Sequence, residues 1–304
     1  MLHRFLRLLG RDFVIGVPYT WLLLFFLLPF LILAYISFVD MGNDIHPFKP
    51  IWDASTGLLQ LKYENYSSIF STEGRPLFDT LYIEAYGRSI KYALATATLC
   101  LLIGYPFAYF IARADAHLRP ALLMMVMLPF WTSFLLRVYA WKGILADQGV
   151  LNQLLVALGL TPEPIPMLYT DVSMLVGMTY VYLPFMVLPL YATLVKLDLG
   201  LLEAAYDLGA TPWKAFWLVT VPLSRAGIIA GFMLVFIPAL GEFVTPSLLG
   251  GPENLMIGRV VWDEMFTANN WPRASALAVV MIGAIVVPLA LYYRHHGHRA
   301  EAQH

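Results

Sequence analysis

Long apolar segments alternate with polar loops along the chain, and this alternation dominates the sequence. A helix that spans a bilayer needs roughly 17–25 mostly apolar residues. We therefore predict six transmembrane helices, over residues 17–39, 89–112, 120–145, 172–195, 223–249 and 274–293. The first apolar run is too long for a secretory signal and no small-residue cleavage site follows it, so we expect it to remain as a span.

The polar segments between these spans define the predicted organisation. Residues 1–88 form an inner tail, the first span and a long outer loop that begins near Asp40. Residues 89–295 form a core of five spans, and residues 296–304 form an inner tail. Residues 150–160 have helical apolar spacing but are too short to span, so we expect them to lie on the outer surface.

Composition supports a membrane protein. Hydrophobic residues make up 60% of the chain and charged residues 13%, whereas soluble domains carry about 25% charged residues. The net charge of −1 gives no case for a nucleic-acid partner. The single cysteine, Cys100, lies in an apolar segment and is interpreted as a small packing residue.

Positive charge near the span ends predicts the orientation. Cytoplasmic loops of membrane proteins carry an excess of Lys and Arg, and the short loop ARADAHLRP (112–120) shows this bias best. With the N-terminus inside, the inner segments hold Arg4, Arg7, Arg11, Arg113, Arg119, Lys196, Lys214, Arg225, Arg294 and Arg299. Both termini and the loop around residue 205 are then cytoplasmic.

Several catalytic signatures are missing from the sequence. It contains no Gly-x4-Gly-Lys-Ser/Thr phosphate loop, no His-Glu-x-x-His zinc helix and no Gly-x-Ser-x-Gly elbow. The cluster HHGH (295–298) could bind a metal, but its spacing fits no closed four-ligand site, and a solvated basic tail explains it better. We therefore predict a chain that is no enzyme, holds no metal or cofactor, and depends on a partner for energy.

The segment EAAYDLGATPWKAF (203–216) carries clustered charges between two apolar segments. Glu203 and Asp207 share one helix face, Gly209 stands where a helix stops, and Thr211 with Pro212 fits the start of a second helix. A slim helix with alanines and two carboxylates suits a groove on another protein. The alternative is an ordinary interfacial loop whose charges are only solvated.

This segment resembles the cytoplasmic signature of permease subunits of ABC importers. The matching positions are Glu203, Ala204, Ala205, Gly209, Val219, Val221 and Pro222. The resemblance implies that residues 200–210 form a coupling helix that docks into a cleft on an ATPase subunit. The implied coupling residues are Glu203, Ala204, Ala205, Asp207, Gly209 and Pro222.

Three further stretches resemble the polyamine branch of that family, the putrescine/spermidine permeases. They are LPFWTSFLLRVYAW (128–141), YVYLPFMVLPLY (180–191) and GEFVTPSLLGGPENLMIGRVVW (241–262). The resemblance implies an all-α integral membrane protein with the type I ABC importer permease (MetI-like) fold in a bacterial inner membrane. It also implies a second related permease, two copies of an ATPase that binds ATP and Mg, and a periplasmic polyamine-binding protein.

A carboxylate within the fifth apolar segment is the best candidate for a substrate pathway. Glu242 lies in ALGEFVTP, and a charge at mid-membrane usually faces a polar interior. Such a carboxylate would suit a cationic amine, and aromatic rings add cation–π attraction. The candidate pathway residues are Glu242, Trp131, Tyr139, Tyr182 and Phe185. The alternatives are a buried pair of Glu242 with Arg137 or with a partner permease, and core packing for each aromatic.

Two other functions remain open from the sequence. The same kind of permease could carry another small solute. A self-sufficient secondary transporter or channel belongs to a different class, and the lack of two matched inverted halves weighs against it.

Overall fold

A computed structural model describes residues 13–42, 47–52, 61–70 and 80–301. These residues form helices and loops, and the one strand-like pairing among them is a bridge between Met41 and Phe48. The chain divides into two compact units, a first unit of Met1–Ile83 and Val261–His304 and a second unit of Glu84–Val260.

The helices described by the structure are numbered here in chain order. They are α1 (Phe13–Ser37), α2 (Glu64–Ser67), α3 (Thr80–Arg113), α4 (Arg119–Met127), α5 (Phe134–Leu145), α6 (Val150–Ala157), α7 (Asp171–Leu194), α8 (Gly200–Asp207), α9 (Pro212–Leu223), α10 (Arg225–Leu240), α11 (Val244–Leu249), α12 (Ile257–Trp262) and α13 (Trp271–Glu301).

The first unit is organised around α1 and α13, which pack together, and α2 also contacts α13. The chain after α1 is fixed by Asp40, whose carboxylate accepts hydrogen bonds from Lys49 at 3.3 Å and Lys62 at 3.1 Å. Burial raises the pKa of Asp40, but the hydrogen bonds from Lys62 and Lys49 outweigh burial, so its pKa is lowered. These hydrogen bonds join Asp40 to the described segments that contain Lys49 and Lys62.

The second unit is built on α7, and α10 makes the most extensive contact with it. Gly227 and Gly231 of α10 face α7. A Cβ on Gly227 would lie 2.9 Å from the carbonyl oxygen of Pro189, and one on Gly231 would lie 2.8 Å from Met186 Sδ. Small residues one turn apart allow close approach of two helix backbones in a membrane, where packing rather than water drives association.

Helix α3 packs on α7 through small residues as well. Ala93, Ala97, Cys100 and Ala108 are fully buried along one side of α3, and a Cβ on Gly104 would lie 3.2 Å from Met186 Cγ. The Cys100 thiol lies 3.5 Å from the carbonyl oxygen of Thr179. The structure thus gives Cys100 the packing position that the sequence indicated.

Apolar helices occupy all six predicted span positions. By length and apolar composition, α1, residues 81–113 of α3, and α7 are each able to cross a membrane. Residues Arg119–Trp131 with Phe134–Ala157 (α4 with α5 and α6), and α9 with α10, pass the same test only as bent pairs, with bends of 87° and 66°. Residues 271–287 of α13 form a shorter apolar helix. The described residues therefore form the predicted all-α membrane architecture.

The third and fifth segments differ from the continuous helices that the apolar pattern predicted. In the third, α4 ends in a tight 3-10 turn (Leu128–Trp131), Thr132 and Ser133 are extended, and α5 then starts in a new direction. Pro129 contributes because it lacks a backbone N–H. In the fifth, α10 ends at Leu240 and α11 begins at Val244, so residues 241–243 interrupt the helix.

The predicted short helix at 150–160 forms as α6. It ends with Gly159 at a positive φ of 69°, where the left-handed backbone favours glycine. Asn152 is buried, accepts the N–H of Ile165 at 2.9 Å, and donates to the carbonyl oxygens of Ile165 and Ala146. This amide fixes the loop that leads to α7.

Candidate functional site

The segment 200–222, here called the docking segment, starts with a short capped helix. Asp198 Oδ1 accepts the N–H of Gly200 at 2.9 Å, and α8 runs from there to Asp207. Gly209 adopts φ of 82° and donates its N–H to Tyr206, while Ala210 donates to Ala205. This pair of hydrogen bonds is the Schellman ending of a helix, so Gly209 ends α8 as the sequence predicted.

A second helix, α9, follows at once. Thr211 Oγ1 accepts the N–H of Lys214 at 3.4 Å, and Pro212 occupies the first turn. The helix then makes a π-helical turn at Phe216–Thr220 before it reaches Pro222. Thr211 and Pro212 therefore start α9 as the sequence predicted.

Aromatic contacts anchor the docking segment to the end of α3. The Phe216 ring meets Tyr105 and Tyr109 edge-on, with centroid distances of 5.5 and 5.8 Å. The hydroxyls of Tyr105 and Ser224 lie 2.8 Å apart. Sequence reasoning missed these anchors, although Tyr105 and Tyr109 are four residues apart and so share one helix face.

The outer face of the docking segment is open. Glu203, Ala204, Asp207 and Pro222 are exposed, and neither Glu203 nor Asp207 has a hydrogen-bond or ion-pair partner among the described residues. Leu208 is 89% exposed. An exposed apolar side chain next to carboxylates without a partner among the described residues forms a surface suited to another protein.

Glu242 lies in the interruption between α10 and α11 and is only 9% exposed. Its Oε2 accepts a hydrogen bond from the Tyr182 hydroxyl at 2.5 Å. Its Oε1 accepts the N–H groups of Val244 at 3.1 Å and Thr245 at 3.3 Å, which lie in the first turn of α11. The carboxylate therefore satisfies the free N–H groups at the start of α11, where a negative charge is favourable.

The aromatic candidates separate into two groups. Tyr182 bonds to Glu242, and the Phe185 ring lies 6.3 Å from the Tyr182 ring and 5.2 Å from that of Phe130. Trp131 and Tyr139, at 79% and 54% exposed, have no ring contact among the described residues. The structure thus brings Glu242, Tyr182 and Phe185 together and leaves the other two outside this cluster.

Arg137 does not pair with Glu242 in this structure. The guanidinium lies 4.8 Å from the Phe130 ring and has no ion pair within the described ranges. Its buried Nε and Nη1 have no hydrogen-bond partner in the part of the chain that the structure describes. Arg137 contacts Phe130 and Glu242 contacts Tyr182, and the Phe185 ring lies between those two rings without bringing the charges into an ion pair.

A second buried polar network lies at the start of α7. The Tyr92 hydroxyl is 2.9 Å from Asp171 Oδ1 and 2.8 Å from Asn254 Oδ1, and Ser89 Oγ accepts the N–H of Ile257 at 2.7 Å. Sequence reasoning missed this network because its members are far apart in the chain. The polar residues within GGPENLMIGR were the one available signal.

The described residues contain no group of three His, Cys, Asp or Glu that could hold a metal ion. The side chains of His295, His296 and His298 lie outside the described residues. The metal interpretation of this tail therefore stays open to experiment.

Comparison with known proteins identifies the family. Residues 100–300 match the family model described as "Binding-protein-dependent transport system inner membrane component". The chain belongs to this family. The chain is 37% identical over 285 residues to the spermidine/putrescine transport system permease protein PotB of Haemophilus influenzae, with 93% of each chain covered. It is accordingly a multi-pass inner membrane transport component, and not an enzyme.

Solved structures agree on the fold of this transport component. It matches a chain of a bacterial ABC transporter involved in the import of the acidic polysaccharide alginate, with a TM-score of 0.64, 19% identity, and 97% and 99% of the two chains covered. The same kind of transporter in complex with an alginate pentasaccharide-bound periplasmic protein gives a TM-score of 0.63 at 18% identity, with 97% of each chain covered. The all-α ABC permease fold predicted from the sequence is confirmed.

Proposed function

We propose that this chain is a permease subunit of an ATP-driven importer of polyamines such as putrescine and spermidine. The observation that carries the proposal is the 37% identity over 93% of both chains to a spermidine/putrescine permease. A membrane carboxylate surrounded by aromatic rings also suits a cationic amine. The partners are a second related permease, two copies of an ATPase and a periplasmic polyamine-binding protein.

The docking segment is the surface through which the ATPase acts. Its support is the open face of α8, with unpaired Glu203 and Asp207, followed directly by α9, which Phe216 anchors to α3. Ala204 and Ala205 keep the helix slim, Gly209 ends it, and Pro222 lies at the far end of α9. ATP and Mg bind to the ATPase and not to this chain. Both termini of this chain are cytoplasmic, on the same side as the docking segment.

Polyamines pass close to Glu242, with Tyr182 and Phe185 beside it and Trp131 and Tyr139 contributing from the exposed side. Non-helical backbone at membrane depth is tolerated only where it is buried in protein or lines a polar cavity. Glu242 occupies such an interruption, and one of its carboxylate oxygens accepts a hydrogen bond from the Tyr182 hydroxyl. Its carboxylate accepts hydrogen bonds from Tyr182, Val244 and Thr245, and a passing ammonium group would compete for the same oxygens.

The proposal is tested by uptake in proteoliposomes that contain the complex purified through a tag on this chain, together with the periplasmic polyamine-binding protein. We expect ATP-dependent uptake of labelled putrescine or spermidine, which either unlabelled polyamine suppresses and an uncharged sugar does not. A complex that hydrolyses ATP but takes up neither polyamine would favour another solute. Flux through the purified chain alone, driven by an ion gradient, would identify a secondary transporter instead.

The coupling assignment has its own test. Glu203→Gln removes an exposed carboxylate from α8, and Glu163→Gln makes the same change at an exposed position between α6 and α7. We expect Glu203→Gln to reduce ATP-driven uptake by about tenfold, the size of one important contact in an interface, and Glu163→Gln to leave it unchanged. Equal uptake by the two variants would refute the coupling role of Glu203.

A further inference from the structure

A groove with a volume of about 320 Å³ runs between α3, α4 and α7 in the second unit. Six of the residues that line it are Phe107 and Phe110 of α3, Leu122 and Met125 of α4, and Leu183 and Val187 of α7. Apart from the Tyr180 hydroxyl, every side chain that lines the groove is hydrocarbon or thioether. No residue of α4 is buried, and Phe110 and Met125 are more than half exposed. The groove therefore separates α4 from its neighbours and is open to its surroundings.

The groove lies at the depth of lipid acyl chains. Leu122, at one end, is three residues from Arg119 at the start of α4, and Pro129, at the other end, is ten residues from it. At 1.5 Å per residue these separations are about 5 and 15 Å. The hydrocarbon region of one leaflet is about 15 Å thick, half of that of the bilayer. An acyl chain whose headgroup lies at Arg119 therefore reaches the whole length of the groove.

Positive charge is in excess at the end of the groove that is nearest the loop between α3 and α4. Arg113 ends α3 and Arg119 begins α4, and Asp115 between them forms an ion pair with neither. Arg119 Nε donates a hydrogen bond to the carbonyl oxygen of Ala114 at 2.9 Å. Its Nη1 and Nη2 make no hydrogen bond within the described residues and are not enclosed. Arg119 can therefore bind a phosphate, and Arg113, over the Tyr109 ring at 5.3 Å, adds positive potential.

Length and charge together favour a lipid over other occupants. From Leu122 to Pro129 the groove covers about 10 Å, whereas a transmembrane helix of a partner crosses about 30 Å. A polyamine is cationic, and the two arginines would repel it. Lipid tails are as apolar as the groove, so an acyl chain alone gains little by entering it. The headgroup therefore decides which lipid binds, and basic pockets between membrane helices on the cytoplasmic side bind anionic headgroups.

We propose that this groove binds one acyl chain of an anionic phospholipid whose phosphate lies on Arg119. The chain fills the space between α4 and its neighbours, and so supports α4 directly before the bend at residues 128–133. The proposal goes beyond the proposed function and depends on neither its substrate nor its partners. It requires only that α3, α4 and α7 lie in a membrane.

The first test compares two lipids on the unaltered chain. The complex purified through a tag on this chain is placed in phosphatidylcholine vesicles. These contain a trace of phosphatidylglycerol, or of phosphatidylcholine, with a photoreactive group on one acyl chain, and mass spectrometry locates the adducts. We expect phosphatidylglycerol to label the groove residues of α3 and α4 at least fivefold more than phosphatidylcholine, about the effect of one basic residue at a membrane surface. Equal labelling by the two lipids would overturn the proposal.

Two pairs of variants separate the headgroup from the acyl chain. Arg119→Gln removes the headgroup contact. Its control is Arg225→Gln, because Arg225 also donates its Nε to a backbone carbonyl oxygen but belongs to α10, which does not line the groove. Val126→Trp fills the groove, and Met124→Trp places the same ring on α4 outside it.

Each variant has a distinct expected result. Arg119→Gln should lower labelling by phosphatidylglycerol to the level of phosphatidylcholine, and Val126→Trp should abolish labelling of the groove by both lipids. The two control variants should label as the unaltered chain does. Undiminished preference for phosphatidylglycerol in Arg119→Gln would count against the proposal. The comparison of lipids on the unaltered chain stands even if Val126→Trp fails to fold.

Two further measurements distinguish other occupants. A photoreactive amino acid in place of Met125 should form adducts with lipid, and adducts with a second permease instead would give the groove to a protein interface and overturn the proposal. Excess inorganic phosphate, at matched ionic strength because salt screens exposed charges, should leave labelling by phosphatidylglycerol unchanged. Loss of the labelling would assign Arg119 to free phosphate and would also overturn the proposal.

Discussion

At the scale of single residues, Glu242 combines a buried charge with a helix cap. The sequence predicted a charged side chain within the membrane at Glu242. It did not predict that Glu242 caps α11, because the cap depends on the interruption of the helix at residues 241–243. The partner Tyr182 lies on another helix, and the apolar pattern around it gives no sign that its hydroxyl faces a carboxylate. Contacts between side chains on different helices, such as that of Tyr182 with Glu242, can be identified only once the relative positions of the helices are known.

The hydrogen bond between Tyr182 and Glu242 gives a stability prediction. Tyr182→Phe leaves Glu242 Oε2 without its donor, and a hydrogen bond to a charged group contributes about 1.5–3 kcal/mol. We expect the free energy of unfolding in detergent to fall by about that amount. Tyr139→Phe is the matched control, because the Tyr139 hydroxyl has no partner in the described part of the chain. Equal stability of the two variants would contradict this account of the cluster.

Gly209 gives a prediction about coupling. Gly209→Ala places a Cβ on a left-handed residue, which costs about 1–2 kcal/mol and disturbs the end of α8. Gly159→Ala imposes the same backbone strain at the end of α6, since Gly159 has φ of 69° and Gly209 has 82°. We expect similar loss of thermal stability in both, but a lower ratio of polyamine uptake to ATP hydrolysis only in Gly209→Ala. Loss of coupling in both variants would point to general destabilisation.

At the scale of helices, the sequence predicted where elements form better than where they change direction. Residues close in the sequence determine the end of α8 and the start of α9. The roles of Gly209, Thr211 and Pro212 could therefore be predicted from the sequence. The bend at 128–133 and the interruption at 241–243 were not predicted, because proline and glycine are tolerated within continuous membrane helices too. Tertiary contacts, such as that of Phe130 with Phe185, decide which of these positions breaks.

The contact between α7 and α10 gives a packing prediction. In Gly227→Ala, the new methyl group would lie 2.6 Å from Thr193 Oγ1 and 2.9 Å from the carbonyl oxygen of Pro189. Overpacking of this kind costs about 1–3 kcal/mol. Gly143→Ala is the control, because a Cβ there meets nothing within 4 Å. We expect a lower melting temperature in detergent for Gly227→Ala only. An unchanged melting temperature for Gly227→Ala would mean that α7 and α10 can move apart at this contact without loss of stability.

At the scale of the whole molecule, the orientation in the membrane is the main prediction. Cys100 is the sole cysteine and is buried, so Cys100→Ala gives a background for single-cysteine labelling. We expect Glu163→Cys to react with a membrane-impermeant thiol reagent in intact spheroplasts, and His117→Cys to react only after permeabilisation. Both positions are exposed in the structure. The reverse pattern would place the docking segment on the wrong side for an ATPase.

The arrangement around Met186 limits how this molecule can move. Its side chain is fully buried, with Gly104 of α3 on one side and Gly231 of α10 on the other. A helix held at such short range by two neighbours cannot turn about its own axis without displacing both of them. We therefore expect the parts of α3, α7 and α10 that meet at Met186 to move together in a transport cycle. Opening and closing is then expected at breaks in the helices, such as the interruption at residues 241–243 that holds Glu242.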